Sequence, residues 1–196
     1  MQNLKDIPCL ILGIGNILWA DEGFGVRVVE AFNDKYAFTD PNNVIADGGT
    51  LGMYLYDRIC RAEKLLIFDC CDFKGKPGEL RVLRNDDVKL WTSTKISPHQ
   101  TGMNDLLVAA AVRGAVPKEI AVVGFQPILL DDYGGSLSPE AKANIDEAVR
   151  DGYEIVRGWN VGLRARSEDE IAPALMDAPL SLIHISEPTR PEPNSY

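Results

Sequence analysis

Short apolar runs alternate with amphipathic segments along most of this 196-residue chain. The runs at residues 9–14 and 65–68 have the length and composition of buried strands. The segments at residues 23–36 and 101–113 carry apolar residues at helical spacing. Strands that alternate with helices build a mainly parallel sheet covered by helices. The pattern therefore predicts a single three-layer α/β domain over residues 1–160, with a mostly parallel twisted sheet flanked by helices on both faces.

Turn signals and caps divide the rest of this domain. A short strand at residues 44–46 is followed by the turn signal of residues 47–49, and a helix is expected over 51–61. Residues 79–84 are typical of a hairpin or edge strand, and residues 120–124 of a further buried strand. The last helix begins with an N-cap serine, a proline and an acid, Ser138-Pro139-Glu140.

The character of the sequence changes near its end. Residues 164–178 are charged and lack an apolar period, which predicts a frayed helix or flexible tail over 161–179. Residues 180–190 match the translation of a common transposase adapter of sequencing libraries. We therefore expect residues 180–196 to be a non-native tail, in which His184 is not a ligand.

Composition excludes several classes of protein. A net charge of −9 argues against a nucleic-acid-binding protein, which normally presents a basic surface. No apolar stretch approaches the roughly 18–20 residues that a membrane helix needs. The cysteines form no CxxC pair and lie mostly in apolar runs, so we expect reduced, buried thiols and a cytoplasmic protein: Cys9, Cys60, Cys70 and Cys71. No self-assembly signal is present, and a monomer is expected.

A glycine-rich loop follows the first predicted strand, which invites comparison with nucleotide-binding loops. Gly13 and Gly15 are present, but Leu18 occupies the third glycine position of that motif. Asp21 and Glu22 at the start of the next helix would repel a pyrophosphate. These glycines are better explained by a tight turn and close approach of neighbouring backbone.

Three residues with metal-binding side chains fall in loops expected at the carboxyl edge of the sheet, where ligands of such folds gather. Glu22 follows the first strand, Asp69 ends the third, and His99 lies in a proline-containing loop before the helix at 101–113. Each has a structural alternative: a helix cap for Glu22, a bond to loop amides for Asp69, and a merely structural or exposed side chain for His99. Together they predict a divalent-metal site for zinc, nickel, copper or iron, with open positions for substrate.

Five ordered blocks of sequence resemble one protein family. They are LGIGNILWADEGFGVR at 12–27, DGGT at 47–50, the apolar run into Asp69, SPHQTG at 97–102 and GFQP at 124–127. The chain resembles the [NiFe]-hydrogenase maturation endopeptidases over about residues 7–157. The segment DDYGGSL at 131–137, together with Trp19 and Phe24, is most similar to the branch that serves uptake hydrogenases.

The resemblance implies an activity and a set of residues. It implies an endopeptidase that removes the C-terminal extension of the hydrogenase large-subunit precursor once nickel has been inserted. The implied metal ligands are Glu22, Asp69 and His99, which bind the nickel of the precursor and need not hold the metal in the resting enzyme. Asp69 or Asp47 is the candidate general base, and the sequence does not choose between them.

Two other functions are weighed against this one. A non-catalytic nickel-sensing chaperone for the large subunit would keep the three ligands but need no base, so that an Asp47→Ala change would be harmless. A nucleotide-dependent enzyme on the same fold is disfavoured because the glycine motif is broken and basic phosphate ligands are missing.

Overall fold

The structure, a computed structural model, describes residues 5–50, 52–88 and 98–175, without the side chains of residues 98–102 and 104. The strands are β1 (Ile7–Ile14), β2 (Tyr36–Phe38), β3 (Val44–Gly49), β4 (Ala62–Cys70), β5 (Leu80–Arg84), β6 (Glu119–Phe125) and β7 (Leu163–Ala165). The α-helices are α1 (Phe24–Lys35), α2 (Tyr56–Arg61), α3 (Pro98–Val112) and α4 (Pro139–Gly158). Two 3-10 helices cover Ala20–Gly23 and Gly52–Leu55.

A five-stranded sheet with the order β3-β1-β4-β6-β5 forms the centre of the domain. The pairs β1–β3, β1–β4 and β4–β6 are parallel, and β5 joins β6 antiparallel at one edge. This arrangement confirms the predicted α/β fold and the predicted edge strand. Because β1 and the middle of β4 at residues 65–68 are covered on both faces, their sequences there are continuous apolar runs rather than alternating ones.

Two apolar layers hold the helices on the sheet. On one face, α1 and α4 pack through buried residues that include Phe24, Phe32 and Val149. On the other face, α2 and α3 pack through residues that include Ile59 and Leu106. Full burial of one such side chain stabilises the fold by roughly 1.5–3 kcal/mol. The two faces separate Asp47 from Asp69, because Asp47 shares a strand face with Ile45 and Asp69 shares one with Ile67.

The predicted turn at residues 47–49 is wrong, because these residues continue strand β3. Asp47 pairs with Gly13 of β1 and Gly49 with Ile14, with an irregularity in the register between them. Gly48 permits this close pairing, since a Cβ at that position would lie 2.6 Å from Ile14 Cδ1. The predicted helix at 51–61 is divided between a 3-10 turn and α2, and residue 51 lies outside the described part.

The start of the last helix agrees with its sequence signal. The Ser138 hydroxyl oxygen accepts a hydrogen bond from the Ala141 amide at 3.2 Å, and Pro139 occupies the first helical position. The α4 helix then runs for 20 residues, and its buried face packs on the same layer as α1. The capping prediction is therefore confirmed.

The segment after α4 lies against the domain as far as the structure describes it. Instead of a frayed helix, β7 pairs antiparallel with β2. The Arg166 side chain donates to the Asn33 carbonyl at 2.7 Å, and Asn33 in turn donates to the Pro173 carbonyl at 2.8 Å. These long-range bonds have no local sequence signal. Residues 176–179 and the expected adapter-derived tail at 180–196 lie outside the described residues. Within the described ranges, no helix is both long and apolar enough to cross a membrane.

Candidate active site

The glycine loop after β1 brings Glu22 to the carboxyl edge of the sheet. The Gly15 amide donates to the Gly49 carbonyl at 3.0 Å, and the Asn16 amide donates to the Glu22 carbonyl at 3.2 Å. Gly15 has a φ of +142°, and a Cβ there would collide with the Glu22 carbonyl oxygen. The glycines therefore serve close backbone packing, as the sequence analysis favoured over phosphate binding.

Glu22 lies in the 3-10 helix that precedes α1, with a partly exposed side chain. Its amide donates to the Trp19 carbonyl at 2.8 Å, which closes the turn before the helix. Its carboxylate is close enough to Asp69 to contribute to the raised pKa of that residue. The structure thus brings two of the predicted ligands to one place.

Asp21, the neighbour of Glu22, is completely buried and fully engaged by hydrogen-bond donors. One carboxylate oxygen accepts from the amides of Ile128 and Leu129, both at 3.0 Å. Ser138 donates its amide to the other oxygen at 2.7 Å and its hydroxyl to the first at 3.0 Å. Asp21 therefore ties the loop that carries Glu22 to the segment after β6.

Asp69 lies near the end of β4 and is 2% exposed. Its Oδ1 accepts a hydrogen bond from the Cys70 amide at 2.8 Å, whereas its Oδ2 has no hydrogen-bond partner among the described residues. Burial raises the pKa of Asp69 to about 8, and the Glu22 carboxylate adds to the rise. Hydrogen bonds from the Cys70 amide and the Cys71 thiol act in the opposite direction on that pKa. A buried carboxyl oxygen without a donor is costly unless a ligand or cation satisfies it.

His99 is the second residue of α3, so it lies in the first turn of the helix rather than in the loop before it. The helix starts at Pro98, since proline is well suited to the first helical position. Helix α3 packs on the sheet face that includes Leu65 and Ile67 of β4. Asp69 points to this same face because side chains alternate along a strand. The side chain of His99 lies outside the described part of the structure.

Asp47 occupies a different place. It lies in β3, two strands from β4, which corresponds to about 10 Å across the sheet. It shares a strand face with Ile45, which packs with α1 and α4, opposite to the face of Asp69. The Asp47 Oδ1 accepts a hydrogen bond from the Gly49 amide at 2.8 Å. The structure therefore brings Glu22 and Asp69 together but does not bring Asp47 to them.

Comparison with known proteins identifies the family. Residues 26–155 match the model of the HycI hydrogenase maturation proteases. The chain is 42% identical over 169 residues to the hydrogenase expression/formation protein HupD of Rhizobium leguminosarum bv. viciae, covering 86% of this chain and 83% of that protein. The chain belongs to the hydrogenase maturation protease family.

Further relatives of this maturation protease agree. The hydrogenase expression/formation protein HoxM of Azotobacter vinelandii is 45% identical over 174 residues, covering 88% of this chain and 83% of that protein. The solved structure of the hydrogenase maturating endopeptidase HybD of E. coli superposes with a TM-score of 0.77 at 36% identity, covering 83% of this chain and all of that one. Because these relatives are named as hydrogenase maturation proteins or endopeptidases, this chain is a hydrolase with an endopeptidase role in hydrogenase maturation. The Hup and Hox names of the relatives fit the uptake branch.

Two residues beside the candidate ligands have contacts that the sequence did not predict. Asp21 was considered only as an acid at a helix start, although its carboxylate accepts hydrogen bonds from a segment more than a hundred residues away. Cys71 was read as an inert buried thiol, although it donates a hydrogen bond to Asp69 and its own pKa is raised well above the ordinary value by burial and by that carboxyl. The four cysteines are free, as expected. The sequence signal that marks the two residues is their nearness to predicted ligands: Asp21 precedes Glu22, and Cys71 lies two residues after Asp69.

Proposed function

We propose that this maturation protease removes the C-terminal extension of the [NiFe]-hydrogenase large-subunit precursor after nickel has been inserted. The observation that carries the proposal is the unpartnered Oδ2 of Asp69, buried at the carboxyl edge beside Glu22. A polypeptide that brings its own cation would satisfy this oxygen, whereas an unloaded polypeptide would leave it buried without a partner.

The ligands available at this edge fit nickel carried by a substrate. Glu22 and Asp69 offer carboxylate oxygens, and His99 at the start of α3 offers an imidazole nitrogen, the ligand types that suit nickel beside zinc, copper and iron. Two carboxylates close together repel each other, so a divalent cation between them removes a repulsion as well as adding bonds. We propose these three residues as the ligands that recognise the metal of the precursor.

The chemistry follows from the same residues. A nickel ion bound there can polarise a carbonyl or lower the pKa of water. Asp69 is our candidate for accepting the proton of the attacking water, because it lies at this edge with its Oδ1 held by the Cys70 amide. A cation bound beside it would favour the ionised form that can accept a proton, against the effect of burial. Asp47 remains the second candidate, but its distance from β4 and its bond to the Gly49 amide favour a role in shaping the β3 end.

The recognition step explains the order of maturation. If the precursor binds through its nickel, affinity depends on metal loading, and precursor without nickel is cut slowly or not at all. The free cysteines suit a reducing compartment, and we propose that the protein acts as a monomer in the cytoplasm.

The test measures the mass of a large-subunit precursor before and after incubation with this protein, with and without nickel. We expect a discrete C-terminal peptide to be lost only from nickel-loaded precursor, and the loss to disappear with Glu22→Ala or His99→Ala. Glu140→Ala is the matched control, because Glu140 is an exposed acid in the first turn of α4.

Two outcomes would count against the proposal. Cleavage of nickel-free precursor at the same rate as nickel-loaded precursor would show that the protein does not recognise its substrate through the metal. Nickel-dependent binding without any change of mass would favour the chaperone function instead.

A further inference from the structure

Exposed apolar side chains are concentrated at one edge of the molecule. Among the described residues, ten large apolar side chains are exposed, and seven of these follow the carboxyl ends of β1, β3 and β6. Five form a surface that we call the apolar rim: Trp19, Ile128, Leu129, Leu130 and Tyr133. Exposed apolar side chains that gather in one place typically mark an interaction site, whereas scattered ones do not.

The apolar rim is held in a fixed shape. The rings of Trp19 and Tyr133 pack edge to face with centroids 5.2 Å apart, and the two residues form a β-bridge. The Gly134 amide donates to the Leu18 carbonyl at 2.8 Å. The buried Asp21 carboxylate accepts hydrogen bonds from the amides of Ile128 and Leu129. An apolar surface pre-organised in this way loses little conformational freedom when a partner binds.

The rim is continuous with the residues proposed to recognise the substrate. The Trp19 carbonyl accepts the Glu22 amide at 2.8 Å, and Asp21 lies between these two residues in the chain. Its amide donates to the Leu129 carbonyl at 3.0 Å. A polypeptide bound on the rim would therefore lie next to the segment that carries Glu22.

The charge near the rim indicates which kind of partner segment it favours. Asp131 is exposed between Leu130 and Tyr133, and the whole chain carries a net charge of −9. Complementary charges favour a partner segment with a basic flank and disfavour an acidic one or an anionic lipid surface. The occupant that fits is an apolar polypeptide segment with a basic neighbour.

We propose that the apolar rim binds an apolar, basic-flanked segment of the precursor polypeptide close to the bond that is cut, and so determines substrate affinity separately from the metal ligands. This inference rests on the proposed function, because the occupant is the substrate of that reaction. The rim side chains are exposed and lie outside the Glu22–Asp69 pair, so they act on binding rather than on the chemical step.

The experiment compares Leu130→Ser and Tyr133→Ser with the native protein on nickel-loaded precursor. Val112→Ser is the matched control, since Val112 is 87% exposed on α3 and lies far from the carboxyl edge. We expect each rim variant to raise KM, and the Kd for immobilised precursor, by about ten-fold. The maximal cleavage rate stays unchanged in both rim variants. The melting temperature is unchanged in Leu130→Ser and falls slightly in Tyr133→Ser, which loses the ring contact with Trp19. The control behaves as the native protein.

The other possible outcomes distinguish a failure of the rim proposal from a failure of the proposed function. If the native protein cleaves and the rim variants match the control in KM and Kd, the rim proposal is wrong and the function stands. If the native protein binds precursor through the rim but never cuts it, the function is wrong and the rim proposal stands. If the native protein is a dimer that the rim variants dissociate, the rim is a self-association surface and the proposal is overturned.

Discussion

Two buried carboxylates lie at the carboxyl edge of this sheet, and their surroundings are opposite. Asp21 accepts hydrogen bonds from three amides and one hydroxyl, which satisfy both of its oxygens. Asp69 accepts one amide and the Cys71 thiol, and its Oδ2 has no partner among the described residues. The donors around Asp21 would compensate a charge on its carboxylate, whereas the surroundings of Asp69 leave a charge on its carboxylate uncompensated.

The difference separates a structural acid from a functional one. A buried carboxylate whose two oxygens both accept hydrogen bonds from the protein does not need a ligand to compensate its burial. A buried carboxyl with an open oxygen and a pKa raised to about 8 is unfavourable for the fold alone, and such groups cluster at functional sites. Asp21 therefore holds the loops in place, and we propose that Asp69 takes part in the reaction.

The largest expected effect belongs to Asp69→Asn. The amide keeps the shape of the side chain but can neither accept a proton nor bind a cation as a carboxylate does. We expect cleavage of nickel-loaded precursor to fall by about 10²–10⁴-fold, with a melting temperature equal to or above that of the native protein. Activity within a few-fold of native would remove Asp69 from the mechanism. Rates come from single-turnover mass measurements.

Asp21→Asn tests the other half of the comparison. The new side-chain NH₂ group faces the backbone N–H groups of Ile128 and Leu129 or that of Ser138. Buried hydrogen bonds are therefore lost, and two donor groups face each other without an acceptor. We expect the free energy of unfolding to fall by about 3 kcal/mol, measured by urea denaturation. Asp131→Asn, an exposed change in the same segment, serves as the control and should lie within about 0.5 kcal/mol of native. A stable Asp21→Asn protein would contradict the anchoring role.

The raised pKa of Asp69 predicts a pH dependence of stability with a definite sign. A carboxyl whose folded pKa is about 8 and whose unfolded pKa is near 4 stabilises the fold only while protonated. Its contribution is complete below about pH 4 and is lost as pH rises to 8. Relative to Asp69→Asn, the native protein should therefore lose up to about 1.4 kcal/mol per pH unit between pH 5 and 8.

The pH measurement uses urea denaturation of both proteins in the presence of a chelator, so that no cation compensates the carboxylate. Parallel stability curves for the native protein and the variant would show that Asp69 is not destabilised by its surroundings. In that case the contrast with Asp21 would lose its energetic basis.

The smallest effect is expected for Asp47→Asn. The amide oxygen can still accept the hydrogen bond from the Gly49 amide, so the end of β3 should keep its shape. Because Asp47 lies two strands from β4 and on the other face, we expect the cleavage rate to remain within about two-fold of native. A loss of a hundred-fold or more in the same assay would make Asp47 the base and Asp69 a ligand only.

The parts of the fold that local signals specify could be predicted from the sequence. The buried strands β1, β4 and β6 are continuous apolar runs, and Ser138 with Pro139 marks the start of α4. The end of β3 could not, because Asp47-Gly48-Gly49 has the composition of a turn and pairs with β1 only through tertiary packing. The order of strands across the sheet is likewise set by non-local contacts.

The same division holds for the site. The rule that ligands gather at the carboxyl ends of strands brings Glu22 and Asp69 together. That rule cannot distinguish Asp21 from Glu22, since both are acids at a helix start and only the donors from residues 128–138 separate them. It also cannot show that Asp47 lies apart from Asp69, because this depends on the order of the strands and on the continuation of β3 through Asp47.

The measurement that tests the central claim most directly is a titration of the precursor with nickel, followed by complete digestion with this protein. If the open oxygen of Asp69 is satisfied by the metal that the substrate brings, the fraction of precursor cut at completion equals the fraction that carries nickel. Full cleavage of nickel-free precursor at the native rate would contradict the account.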